Sequence, residues 1–425
     1  MKVRYVFALG AIAGSVLLSP QTALAQFSQQ GPKLVGAGAI GNALQGRSVS
    51  ISGDGNTAIV GGNGDDSAIG AVWIWTRNGA SWTQHSKLVG SGAVGNAQQG
   101  SAVSISADGN TAIVGGRSDD DAAGGAWVWA RAGNIWTQQT KLVGTGAIGD
   151  AQQGNSVGLS ADGNTAIVGG WTDNGQAGAA WVWARSGNVW TQGNKLVGSD
   201  AVGAALQGTS VSLSADGNTA IVGGRNDNDP EHGINLRGAA WVWTRSGSVW
   251  TQQGLKLVGS GGQFAPGQGS SVSLSADGNT AIVGGFGDNS GIGAVWAWIR
   301  NGGIWTQQGN KLVGSGFMGT AEQGGSVSLS ADGNTAIVSG LTDHGSAGAV
   351  WVWTRSGGVW TQQGNKLVGS GVIGRANLGI SVSLSADGKT IIAGGSGDNS
   401  NTGAAWVFTA TASTVAPQRR RAVTH

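Results

Sequence analysis

The chain is predicted to be all-β: a seven-bladed β-propeller of four-stranded antiparallel blades, closed by its N-terminal strand pairing into the last blade. Three observations predict it. An Asp-Gly pair recurs at Asp54, Asp108, Asp162, Asp216, Asp277, Asp332 and Asp387, with separations of 54, 54, 54, 61, 55 and 55 residues. Each copy carries four short stretches of strand character, and four strands at a period of ~50 residues describe a propeller blade. The third observation is an offset. Phe27 to Gly36 matches Trp360 to Gly369 at seven of ten positions, so the repetitive part opens with the last quarter of a unit. The seventh unit fades after Trp406-Val-Phe408, lacking the segment that the beginning supplies.

The clearest unit runs from Ser326 to Gly369. Its Val-Ser-Leu-Ser alternates with period two, the mark of a strand. Ala-Asp-Gly-Asn follows as a hairpin turn, because Asp-Gly tolerates the positive φ that tight hairpins demand. Thr-Ala-Ile-Val is a second strand, ended by a glycine pair in most copies. Ala-Val-Trp-Val-Trp is a third, with both indoles on one face. Arg-Ser-Gly turns the chain again, and Trp-Thr-Gln through Lys-Leu-Val forms the outer fourth. No helical periodicity appears after the first 25 residues. An open β-solenoid is the competing architecture, but it leaves bare edges and needs capping units that the sequence does not contain.

Lys2 and Arg4, an apolar run from Val6 to Leu18 and Ala23-Leu24-Ala25 read as a secretory signal cleaved after Ala25, too short to span a bilayer. Residues 1–25 are therefore expected to be a leader, 26–410 one propeller domain and 411–425 a disordered basic tail. The location follows as secreted or periplasmic, with no membrane span in the mature chain. The chain holds 24 basic and 22 acidic residues, so losing Lys2 and Arg4 leaves it balanced. With Arg419, Arg420 and Arg421 in the tail, no basic footprint for a nucleic acid remains. Cysteine is absent, so packing and ring closure must hold the fold. The 81 glycines raise the entropy that folding must overcome, and 20 tryptophans supply the apolar area to offset it.

At these residues the sequence resembles the FG-GAP repeat family, the blades of integrin α-subunit propellers and of many bacterial secreted proteins. The first motif position is held by Gly46, Gly100, Gly154, Gly208, Gly269, Gly324 and Gly379, each three residues before a strand-one valine. The second is held by Gly-Gly at 61–62, 115–116, 169–170, 223–224, 284–285 and 394–395, and by Ser339-Gly340. The resemblance covers Phe27 to about Phe408 and implies a seven-bladed propeller used for extracellular recognition. Calcium-binding members carry alternating aspartates in the turn between strands one and two. Here that turn has a single carboxylate, too few oxygens for the family's usual site, so no cofactor is expected, with calcium left possible elsewhere. The family's strand-three Tyr and Phe are mostly Trp here, read as core filling between blades.

Several motifs tempt and fail. Gly36-Ala-Gly38-Ala-Ile-Gly41 spells a dinucleotide fingerprint, but no helix follows it. Gly154-Asn-Ser156-Val-Gly158 spells a nucleophile elbow, yet it falls where a strand begins. His85, His232, His344 and His425 show no metal-ligand spacing, and His85 and His344 are expected in solvated turns.

The loop between strands two and three is more informative. An aspartate stands three residues past the glycine pair in every copy: Asp65, Asp119, Asp173, Asp227, Asp288, Asp343 and Asp398. Each either caps its own turn or joins an acidic ring at the channel mouth, able to hold a cation or a basic partner. The fourth unit expands this loop by six residues, from Asn226 to Arg237, adding Asp229 and Glu231. Trp171, Phe286 and Leu341 replace polar residues at one repeat position, joined by Phe264, Phe317 and Met318 in the loops leading into strand one. These large apolar groups and Asp173, Asp227, Asp229, Glu231, Asp288 and Asp343 are the candidate ligand-binding residues, with no catalytic or metal-binding residue among them. The expected function is an exported, non-enzymatic propeller, monomeric, binding an extracellular protein or glycan through one face. The alternatives are a lectin with sites between blades and an envelope hydrolase or lyase at the channel mouth.

Overall fold

A computed structural model describes residues 26–228 and 236–411. The leader, the end from residue 412, and residues 229–235 with Asp229, Glu231 and His232 lie outside the described residues.

Seven four-stranded antiparallel sheets form the blades of a ring. In the first blade the strands run, from the channel outward, Ser48–Ile51, Thr57–Gly62, Ala71–Asn78 and Ser81–Leu88. The seventh blade takes its outer strand from the other end of the chain. Gln26–Gln29 pairs antiparallel with Ala404–Thr411, Gln26 opposite Thr411 and Gln29 opposite Phe408. Phe27 packs against the seventh core at the place that Trp360 holds in blade six. Thr411, assigned to the tail from sequence, instead ends this strand and donates from Oγ1 to the Gln26 carbonyl at 2.7 Å.

The hairpin turns differ from the tight type expected. In blade one, Gly55 N–H donates to the Ser52 carbonyl at 2.9 Å, and only Gly55, at φ +69°, takes the left-handed conformation. Asp54 holds the turn, its Oδ1 accepting from Ser52 Oγ and from Asn56 N–H. Below these turns the ring closes hydrogen bond by hydrogen bond. Gly53 N–H donates to Ala107, Ala107 to Ala161, Ala161 to Ala215, Ala215 to Ala276, Ala276 to Ala331, Ala331 to Ala386 and Ala386 back to Gly53, at 2.9–3.0 Å. Strand-one serines add further rungs, as where Ser50 Oγ accepts from Ile105 N–H and Ser383 Oγ accepts from Ile51 N–H.

Each interface between blades is filled by the third-strand tryptophans. Trp73, Trp127, Trp181, Trp241, Trp296, Trp351 and Trp406 are fully buried. Each lies on the glycine of Lys-Leu-Val-Gly so closely that a Cβ on Gly90 would stand 2.3 Å from Trp127 Cδ1. The two glycine motifs also meet across blades. A Cβ on Gly61 would stand 2.4 Å from the Gly100 carbonyl, and one on Gly100 would stand 2.9 Å from Gly62 N. Both motifs are therefore conditions of close contact between blades.

Outer strands come in two forms. In blades one to three they run unbroken for eight residues with a bulge, as in Val189–Leu196. In blades four to six one more residue separates Trp from Lys. The strand then stops at Gln252, Gln307 or Gln362, and a single bridge such as Ala240 to Leu257 restores the pairing. This residue accounts for the change of spacing from 54 to 55. His85 lies in such an outer strand, not in a turn, with Nδ1 3.1 Å from Ser86 Oγ.

Candidate functional site at the channel mouth

The loops between strands two and three and the loops leading into strand one share a face, as expected. In blades one to three and five to seven, the loop between strands two and three makes one left-handed turn. In blade one Asp66, Ser67 and Ala68 have φ of +47°, +56° and +70°, and Gly70 N–H closes the turn on the Asp65 carbonyl at 2.9 Å. Left-handed backbone costs roughly 1–2 kcal/mol per ordinary residue, which explains why Asn, Asp, Gly and Ser crowd these positions.

An aspartate anchors every turn, and its surroundings correct the exposed acidic ring. Asp65, Asp119, Asp173, Asp227, Asp288, Asp343 and Asp398 are all buried. Oδ1 of each accepts a backbone N–H from the loop leading into strand one: Asp173 from Ile148 at 2.8 Å, Asp227 from Val202 at 2.7 Å, Asp288 from Gln263 at 2.8 Å and Asp343 from Met318 at 2.8 Å. Oδ2 pairs with the lysine of Lys-Leu-Val. The distance is 2.5–2.6 Å for Lys33–Asp398, Lys87–Asp65, Lys195–Asp173, Lys256–Asp227 and Lys311–Asp288. Lys141–Asp119 and Lys366–Asp343 complete the set. Lys87 also stands over the Trp73 ring, 5.3 Å from its centroid. These carboxylates brace a second loop rather than capping their own turn, and each is buried beneath its lysine. Burial, with the nearby Asp200 charge adding to it, pushes the Asp227 carboxyl above the usual range despite the Lys256 and Val202 hydrogen bonds.

A buried glutamine repeats the bracing. Gln45, Gln99, Gln153, Gln207, Gln268 and Gln323 each accept from the N–H of the Lys-Leu-Val-Gly glycine, as Gln99 does from Gly90 at 2.6 Å. Leu378 takes this position in blade seven and joins the apolar core. Neither partner was foreseen from the sequence, though the lysine recurs in all seven units and the glutamine in six.

What varies from blade to blade is the residue after the glycine pair, where strand two leaves the sheet beside the channel. Around the ring it is Asn63, Arg117, Trp171, Arg225, Phe286, Leu341 and Ser396. Trp171, Phe286 and Leu341 are half-buried here, so the structure brings these three candidates to one rim. Trp171 turns onto its own blade, donating from Nε1 to Gln152 Oε1 at 2.7 Å, and Arg225 of the next blade stacks over it at 4.9 Å. Phe264 stands apart, 69% exposed, whereas Phe317 is partly buried against the core of blade six. Five blades also carry a largely exposed apolar residue at one position of the loop leading into strand one, of which only Met318 was singled out from the sequence. Ile40, Val94, Ile148, Met318 and Ile373 are more than half exposed, and each carries the N–H that a buried aspartate holds.

Inside the rim, the first residues of all seven innermost strands enclose a cavity of about 270 Å³ in the channel, with Arg47, Ser101, Asn155, Thr209, Ser270, Gly325 and Ile380 at one level. Further clefts lie between outer strands. One of about 430 Å³ separates blades five and six, lined by Gln308, Asn310, Trp353 and Trp360, and one of about 310 Å³ separates blades three and four. Trp353 Nε1 is buried without an acceptor among the described residues. Among the described residues no cluster of three or more His, Asp or Glu side chains is placed to hold a metal, and no helix is long and apolar enough to cross a membrane. Compared with known proteins, the chain matches no family model, and no curated protein is significantly similar to it in sequence.

Proposed function

We propose that the protein is an exported, non-enzymatic recognition propeller of FG-GAP type that binds an extracellular protein or glycan across the channel mouth. One observation carries the reading. Residues that hold the blades together repeat almost without change, while the rim residue is different in nearly every blade. A sevenfold scaffold has no structural need for an asymmetric rim, but a single asymmetric ligand does. Half-buried Trp171, Phe286 and Leu341 offer anchors of the kind that dominate binding interfaces. The test is a glycan-array and surface-protein screen of the full chain, repeated with Trp171→Ala, Phe286→Ala. Affinity for any hit should fall by tenfold or more, about 1.4 kcal/mol; unchanged binding removes the rim from the reading.

A lectin is the second reading, favoured by the clefts between outer strands and by the unpartnered indole N–H of Trp353. It requires several equivalent sugars per chain, which calorimetric stoichiometry counts directly.

A further inference from the structure

The rim is asymmetric in charge as well as in shape. Arg47 lines the channel cavity in blade one. Arg117 stands at the rim of blade two, where its Nε donates to Gln98 Oε1 at 3.1 Å. Arg225 occupies the same position in blade four, over Trp171 of blade three. Three guanidiniums and an indole thus span four consecutive blades. None of the three arginines pairs with a carboxylate among the described residues, because the nearby aspartates are taken by lysines. Glu322, at the Gln98 position of blade six, lies two blades from both Arg47 and Arg225. Burial lowers the pKa of all three arginines, and the charge of Arg117 in the neighbouring blade lowers that of Arg47 further. An anion between them relieves both effects.

The cavity below is lined by hydroxyl-bearing side chains, Ser101, Thr209 and Ser270 among them. Its volume of about 270 Å³ suits one sugar ring rather than a peptide segment. From these juxtaposed groups we infer that the channel mouth binds one carboxylate-bearing sugar unit. Arg47 and Arg117 grip the carboxylate, strand-one hydroxyls meet the ring hydroxyls, and Trp171 walls the site. Guanidinium is the natural partner for a carboxylate, since its fork can donate two parallel N–H bonds. The inference rests on the recognition reading above and narrows it to acidic glycans.

Calorimetric titration of the full chain with glucuronate, glucose and sodium sulfate tests it. Glucuronate should bind once per chain and about tenfold or more tighter than glucose, the scale expected when a hydrogen-bonded charge is added. Added sodium chloride should weaken it, since the contact is ionic and partly exposed. Arg47→Gln, Arg117→Gln should reduce the glucuronate affinity about tenfold or more. Arg131→Gln, which alters an arginine stacked on Trp136 at the opposite face, should leave it unchanged. The salt series needs no variant and keeps the test decisive if the double variant misfolds. Equal binding of glucose and glucuronate, an unaffected double variant, or affinity indifferent to salt overturns the inference. Sulfate binding as tightly as glucuronate removes the sugar and leaves an oxyanion site only, and several equivalents per chain move the site to the clefts between blades. Failure here with rim-dependent binding of the screened ligand intact removes the acidic sugar alone; glucuronate binding as expected while the Phe286→Ala change leaves the screened ligand's affinity unaltered removes the macromolecular rim instead.

Discussion

At the residue scale, the repeated aspartate shows how far local chemistry can be read. Its recurrence three residues past the glycine pair was visible in the sequence, and so was that of the lysine. Their pairing was not, because Lys87 lies 22 positions after Asp65, and Lys33 serves Asp398 from the other end of the chain. Burial decided the role. A carboxylate with 1% of its side chain exposed, opposite an ammonium with 20% exposed, is a brace rather than a ligand. Such pairs contribute little over an apolar substitute, yet removing one partner strands a charge and costs about 3–5 kcal/mol. Lys195→Met is therefore expected to destabilise by that amount in urea unfolding. Asp173→Asn, which can still accept the Ile148 N–H, should cost less. The double variant should recover about 1–3 kcal/mol relative to additivity; strict additivity would show that the pair is not coupled.

At the element scale, the strands were legible because alternation and turn residues are local signals. The turns were legible in place but not in kind. Asp54, Asp108, Asp162, Asp216, Asp277 and Asp332 each feel burial pushing the carboxyl upward. Hydrogen bonds from the serine two residues before and from the asparagine two residues after outweigh it, and the carboxyl lies below the ordinary range. A carboxyl depressed in the folded state binds fewer protons there than in the unfolded chain. The stability it confers is present above about pH 3.9, the unfolded value, and is lost as the pH falls through the lower folded values. The urea midpoint is expected to be flat from about pH 7 to 5 and to fall steeply below about pH 4. Replacing Ser160 by alanine, which removes one of these bonds, should lessen the slope. A midpoint indifferent to pH between 5 and 3 would refute the role given to the turns.

At the scale of the whole molecule, closure matters most. The strand Gln26–Gln29, the Leu34 bridge to Ala405 and the Lys33–Asp398 pair all join the chain's beginning to its last blade. Their loss opens a ring whose seven blades otherwise each have two neighbours. A chain lacking residues 26–34 should melt roughly 10 °C lower or more, with amide-exchange protection lost first in Ala404–Thr411. Equal melting temperatures would mean that the ring of backbone bonds from Gly53 to Ala386 suffices alone.

The sequence by itself determined the number of blades, their four strands and the place where the ring closes. Those follow from periodicity and from an offset between the two ends, and neither needs coordinates. It also located the rim by its irregularity, since Trp171, Phe286 and Leu341 interrupt a repeated pattern. Only the tertiary structure decided which polar groups face solvent. Lysines of the Lys-Leu-Val segments cover the aspartates, Arg47 lines the channel, and Arg117 and Arg225 take rim positions of two other blades. Burial and proximity are set by how blades stack, and a pattern along one chain records the stacking interval without recording what each side chain then touches.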